Sequence, residues 1–369
     1  MASSIRFSDS CRGAGTEVFV AARGFTLKNL SDESSIQLEE GAADETYSNN
    51  AEEILESVVS NGKRDLDRGS DSARPHVNLG LSLMNRGMLR EAESELSEAL
   101  KKDRKHFVAG MALARIRAMG GDLDGAAQLY DTLSKEHSGE LLPKTGLAYV
   151  AIQRGKFEEA EQLLRTIVAT DRRNIWAKYQ LGLVLLKLDK LQEAIGLLRD
   201  ATRAGVRLPA IHHALGVAYA QKKDFKKAIR SFSMALSLAP RMRETVHAFS
   251  DVLLHLKQVE KAIALLRDFV ENDGTEVLET REMLVRAYLD LGRHREARAE
   301  LQKMWEGLRQ KKNVPEKESA RILSNIGLCF ALDKNIEAET YFKRALQLCA
   351  DGDPVFYTNL GRWYLAHGR

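Results

Sequence analysis

Stepping through the chain in strides of 34 residues from Gly80 lands on Ala114, Ala148, Gly182, Gly216 and Ser250, all of them small. The residue before each is large: Leu79, Leu113, Leu147, Leu181, Leu215 and Phe249. Three further series share the stride. One is alanine without exception: Ala92, Ala126, Ala160, Ala194, Ala228 and Ala262. Another is bulky: Leu96, Tyr130, Leu164, Leu198, Phe232 and Leu266. The last runs Leu89, Leu123, Phe157, Leu191, Phe225 and Val259. A period of this length is the mark of a solenoid, in which each unit is too small to bury its apolar face alone and does so against its neighbours.

Size explains the positions. In the unit around Ala210–Pro240, Leu215-Gly216 and Tyr219 share one helical face through their i, i+4 spacing. Helix axes pack about 8–10 Å apart, and the short end of that range needs Gly, Ala or Ser at the crossing. Ala228, Phe232 and Ala235 repeat the scheme on a second helix, and Pro240 stops it. The polar turn 221–224 joins the two helices, with Asp224 as the expected N-cap, as Asp122 is in an earlier unit. Gly87, Gly121 and Gly155 fall in the corresponding turns, where a helix C-terminus favours Gly. After Ala262 the register loosens. Leu284, Tyr288, Gly292, Ala297 and Leu301 come one residue late; Ile326-Gly327, Phe330, Ala338, Phe342 and Ala345 follow a basic connector. Leu360-Gly361 and Tyr364 begin a ninth unit, which is either the terminal cap or the start of a longer array.

The Leu-Gly pair, the Tyr, the Ala-x3-Phe and the Pro of the fifth unit resemble the tetratricopeptide repeat family, and the resemblance runs from about Ala73 onward. It implies an all-α fold, a right-handed α-solenoid of antiparallel helix pairs. The expected organisation is an acidic disordered leader over 1–50, a short amphipathic helix and linker over 51–72, and the array over 73–369. Its repeats span 73–106, 107–140, 141–174, 175–208, 209–242, 243–277, 278–319 and 320–353, with a terminal helix 354–369. In the leader, Asn50 can cap a helix whose Ile54, Leu55, Val58 and Val59 share a face. That helix would dock on the first repeat or be read by another protein.

Charge is uneven. Residues 1–72 hold 7 Lys/Arg against 14 Asp/Glu, and the remainder 48 against 38, within a total of +3. The leader either shields the array or keeps the protein soluble. Cys11, Cys329 and Cys349 are too sparse for a disulfide framework, which favours a reducing compartment. No apolar run reaches the roughly 20 residues of a membrane helix. The cytoplasm is the expected location; "MASSIRF" with Arg12 and Arg23 leaves an organelle as the alternative.

No motif for chemistry is present. "RGAGTE" lacks the Gly-Lys-Ser/Thr of a phosphate loop, and there is no His-Glu-x-x-His or Gly-x-Ser-x-Gly. The chain reads as non-enzymatic, without a cofactor. His212, His213, His247 and His255 are the best candidates for a metal, yet packed or solvated histidines are the commoner outcome. "KKDRKH" and "KKDFKK" lie in turns without aromatics for base stacking, which argues against nucleic acid.

The resemblance places a ligand groove on the first helices of the units. Carried onto this sequence, its lining is Leu142, Thr145 and Tyr149, then Trp176, Tyr179 and Leu183, then His213 and Val217, then His247 and Asp251. Trp176 and Tyr179 either anchor a partner or fill gaps between repeats. The Lys and Asn of a chaperone carboxylate clamp are missing: the matching pairs are Val77/Leu81, Met111/Arg115, Thr145/Tyr149, Tyr179/Leu183, His213/Val217 and His247/Asp251. Heat-shock chaperone tails are therefore not the expected partner. The asparagine ladder of O-linked N-acetylglucosamine transferase survives only at Asn78, Asn325 and Asn359. The expected function is a scaffold or adaptor that holds a peptide or helix of a protein partner in the groove. The alternative is a substrate-presenting module whose catalytic part lies on another chain or beyond the C-terminus. An open last unit would also permit homo-oligomers.

Overall fold

A computed structural model describes residues 72–203, 208–272, 278–310, 316–348 and 354–368. The acidic leader, the 51–71 segment, Cys11 and Cys349 lie outside the described residues. Those residues form helices joined by turns, in two compact units. The first unit holds α1 (Arg74–Asn85), α2 (Leu89–Lys102), α3 (Phe107–Met119), α4 (Leu123–Glu136), α5 (Leu142–Gln153), α6 (Phe157–Thr170), α7 (Ile175–Lys187) and α8 (Leu191–Arg203). The second holds α9 (Pro209–Gln221), α10 (Phe225–Leu238), α11 (Arg243–His255), α12 (Val259–Asn272), α13 (Leu278–Asp290), α14 (His294–Arg309), α15 (Glu316–Leu332), α16 (Ala338–Leu348) and α17 (Pro354–Ala366). In both units each odd-numbered helix packs on the following even-numbered one as an antiparallel hairpin, and each even-numbered helix packs on the next hairpin. This is the all-α solenoid organisation. No helix among the described residues is long and apolar enough to cross a membrane.

The alanine series is fully buried: Ala92, Ala126, Ala160, Ala194, Ala228, Ala262, Ala297 and Ala338 expose nothing. The bulky series from the same helices fills the space between. Leu96, Leu164, Leu198, Phe232, Leu266 and Phe342 are also fully covered. What they press against is the small residue of the preceding helix. A Cβ added at Gly80 would stand 2.7 Å from Leu96, at Gly182 2.7 Å from Leu198, and at Gly327 2.8 Å from Phe342. Gly216 faces Phe232 in the same way. Gly146 was not singled out by its periodicity. It faces Tyr130 of the previous hairpin at 2.5 Å, so this ring beds into the next repeat.

Every hairpin turn within the repeats closes alike. The residue two places past the last helical one has positive φ, and the next amide donates to a carbonyl five residues back, as in Met88 N to Leu83 O at 3.0 Å and Asp224 N to Tyr219 O at 2.9 Å. Gly fills the left-handed position at Gly87, Gly121, Gly155 and Gly292. Asp189, Lys223, Lys257 and Lys334 adopt it without being Gly, at φ between 56 and 64°. The expected caps form: Asp122 accepts from the Gly125 amide at 2.9 Å and Asp224 from the Lys227 amide at 3.3 Å. Asn174 caps α7 through the Ala177 amide, and Pro75, Pro143 and Pro209 open their helices where no amide partner is needed.

One ionic cluster ties hairpins on the outer layer of the first unit. Glu161 of α6 meets Arg165 on its own helix and Lys190 before α8 at 2.7 Å, while Arg165 also reaches Glu193. The Lys190 hydrogen bond is the main reason that the Glu161 carboxyl titrates below the usual carboxylate range.

Two stability outcomes follow. Ala194→Leu places three extra carbons in a crossing that exposes nothing and should cost roughly 1–3 kcal/mol in chemical denaturation; a neutral result would contradict the assigned register. Ser250, at a small-residue position, is fully buried with no hydrogen-bond partner for its hydroxyl. Ser250→Ala removes that unpaired group and should stabilise by about 1 kcal/mol, and a measured loss of stability would show the hydroxyl to be paired.

Candidate functional site

The first-helix residues singled out in the first unit sit on α5 and α7, which flank α6. Both helices are apolar nearly all round, so residues not needed for hairpin packing still carry large side chains. Leu142, in the first turn of α5, leaves 42% of its surface exposed, and Trp176, in the first turn of α7, leaves 37%. One turn on, Thr145 and Tyr179 occupy equivalent positions and are half-buried, as are Tyr149 and Leu183. The Thr145 hydroxyl donates to the Leu142 carbonyl at 2.6 Å. Burial pushes the Tyr179 phenol up to about 12, so its ring is recessed while Trp176 stands proud of it. Leu142 and Trp176 are exposed in the first turns of their helices, while Tyr179, one turn on from Trp176, is half-buried with a phenol that stays neutral.

In the second unit the residues singled out face a polar layer. His213 Nδ1 lies 3.0 Å from Thr245 Oγ1, joining α9 to α11. His247 Nε2 lies 2.8 Å from Thr280 Oγ1, joining α11 to α13. Burial lowers both imidazole pKa values, more than the neighbouring Glu244 and Glu279 raise them. Both rings therefore stay neutral near pH 7. Their structural work is to join successive first helices, and Val217 sits half-buried one turn beyond His213.

The same rung is built from other residues further on. Glu282 of α13 pairs with Arg321 of α15, and Asn359 of α17 donates to Ser324 of α15 at 3.1 Å. Thr245 and Thr280 expose nothing, and single-residue reasoning missed them. The available signal was their recurrence, 32 and 33 residues after the histidines. Asp251 is open to solvent, yet its carboxyl titrates above the usual range because surrounding protein displaces hydration, with His247 and Arg286 opposing. Glu282 is raised for the same first reason, with Arg321 opposing.

His255 packs its ring 5.0 Å from Phe225 and does not join His213 and His247. Among the described residues no three His, Cys, Asp or Glu side chains gather as a metal site. Cys329 is buried and its thiol pushed up to about 12, which keeps it protonated and unreactive. What the two faces offer is apolar contact, aromatic surface and hydrogen bonding.

Family models described as tetratricopeptide repeat match residues 77–140, 151–216, 209–242 and 278–303. No curated protein sequence matches the chain. Among solved structures, a chain of the APC/C hetero-tetramer Cut9-Hcn1 aligns with a TM-score of 0.54 at 23% identity. That alignment covers 64% of this chain and 46% of the other, so this chain spans less than half of that relative. A tetratricopeptide repeat protein from Parabacteroides merdae aligns with a TM-score of 0.52 at 16% identity, over 70% of this chain and 98% of its own. At such identities the likeness is one of fold. The helix pairs, their buried small residues and the four matched segments agree: the chain belongs to the tetratricopeptide repeat superfamily.

Proposed function

We propose that the chain is a non-catalytic adaptor that holds an extended or helical segment of a protein partner on the first-helix faces, with Trp176 and Leu142 as its apolar anchors. The superfamily supports a protein-interaction module in general. The observation that carries the finer reading is the exposure of two large apolar side chains, 37% and 42%, at the starts of successive first helices. Aromatic anchors are where binding energy concentrates at interfaces. The exposed apolar pair favours a ligand with an apolar stretch.

Selection from a displayed library of random peptides, followed by calorimetry on the synthesised winners, tests this. Trp176→Ala should weaken the selected peptides by about ten-fold or more, equivalent to roughly 1.4 kcal/mol, with helical circular dichroism unchanged. Tyr357→Ala, at a residue 58% exposed on α17, should leave them unaffected. Equal affinities for the wild type and the Trp176 variant would remove the indole from the site.

A further inference from the structure

Carboxylates in the first unit are confined to one layer. The first helices α1, α3, α5 and α7 carry no Asp or Glu, whereas the second helices α2, α4, α6 and α8 carry four, three, three and two. First helices do not exclude carboxylates in general, since α11, α13 and α15 of the second unit each hold two or more. Cations are kept on the first-unit helices: Arg74, Arg115 and Lys187 are exposed, and Lys144 and Lys178 half-buried. Arg117 pairs with Glu93 of α2 at 3.3 Å. Arg74, Lys144, Lys178 and Lys187 meet no carboxylate among the described residues.

The exposed cations stand in the register of the apolar anchors. Arg74 lies two strides of 34 before Leu142 and three before Trp176. Arg115 lies one stride before Tyr149, and Lys187 two strides after Met119, which is 55% exposed. Helix α1 packs on α3, and α3 on α5, so these positions follow one another along the layer. The strip combines apolar side chains with positive charge and holds no compensating carboxylate on its own helices. A surface of that kind draws a segment in which carboxylates and apolar residues are interspersed. The chain has one, outside the described residues. Between Lys28 and Lys63 there is no Lys, Arg or His, and residues 32–56 hold nine carboxylates together with Ile36, Leu38, Ile54 and Leu55.

We propose that residues 32–56 lie along the first-helix strip of their own chain, with carboxylates beside Arg74 and Lys187 and apolar residues over Leu142 and Trp176. This rests on that face being a binding surface, as proposed above, and makes the leader a built-in competitor that a partner must displace. The tether is long enough: the residues 57–71 span up to roughly 50 Å when extended, and first helices about 8–10 Å apart put α7 roughly 30 Å from α1. Attachment to the same chain holds the segment at an effective concentration on the order of millimolar, which favours the chain's own leader over a free acidic peptide.

Acrylamide quenching of Trp176 fluorescence tests this without any partner. The full chain carries Trp305→Phe and Trp363→Phe, so that one indole reports, and the quencher is neutral, so that salt does not change its access. In this parent the quenching constant should be low. It should rise about two-fold as the docked population falls when Glu39→Lys, Glu40→Lys, Glu52→Lys and Glu53→Lys are made together. Arg74→Glu with Lys187→Glu should raise it in the same way, as should about 0.5 M NaCl, which screens the charges. Combining the leader and strip changes restores opposite charges with their signs exchanged, and the constant should fall back part of the way. Circular dichroism checks that every form keeps its helices. A parent quenched as readily as the leader variant would overturn the proposal. So would a combined variant with no recovery, or protection that strengthens with protein concentration, the sign of a leader seated on a second copy. An unprotected Trp176 together with Trp176-dependent binding of selected peptides would remove the leader from the strip and leave the partner reading standing.

Discussion

Four hairpins are closed by a bulky side chain of the second helix lying against a glycine of the first: Leu96 on Gly80, Leu198 on Gly182, Phe232 on Gly216 and Phe342 on Gly327. Where a Cβ would fall under 3 Å from the Leu or Phe, the backbone has come closer than any larger residue permits. The fully buried alanines of the second helices allow the same close approach from the other side. The turn chemistry follows from this packing. Once the hairpin is held this closely, the chain must reverse within a few residues, and one residue must take a left-handed conformation. Four repeats place Gly there. The others hold Asp or Lys in it, a cost of roughly 1–2 kcal/mol each that the surrounding packing offsets.

Most of the scaffold was legible because one stride carries size information at four positions at once. The Ala series and the Leu-Gly pairs located the helices and their crossings, and Asp122 and Asp224 located two helix starts. Gly146 shows where the reading stopped. Its partner, Tyr130, is on the neighbouring hairpin, and periodicity within one unit does not say whether a ring leans back or forward. The left-handed Lys223 and Lys257 were hidden for a related reason, since the conformation is imposed by the packed hairpin rather than by the residue.

The faces of the first helices were only partly readable. Their positions follow from the register, but the division of labour among them does not. His213 and His247 looked like ligand contacts or metal candidates, and they are bonded to Thr245 and Thr280 of the next repeats. Such rungs depend on which rotamers meet across two helices, and no single helix carries that information. Trp176 and Tyr179, one residue type apart and one turn apart, differ in the same way: one is open and one recessed. These rungs and the hairpin crossings together tie successive repeats to one another.

The central claim is that Gly216 is small because Phe232 needs the space. A double-mutant cycle on these two residues, measured by chemical denaturation, isolates that dependence. With Phe232 present, Gly216→Ala should destabilise by roughly 1–3 kcal/mol through overpacking. In the Phe232→Ala background the same change should be neutral or stabilising by up to about 1 kcal/mol, because the space is free and Ala favours the helix. Equal effects of Gly216→Ala in both backgrounds would contradict the account.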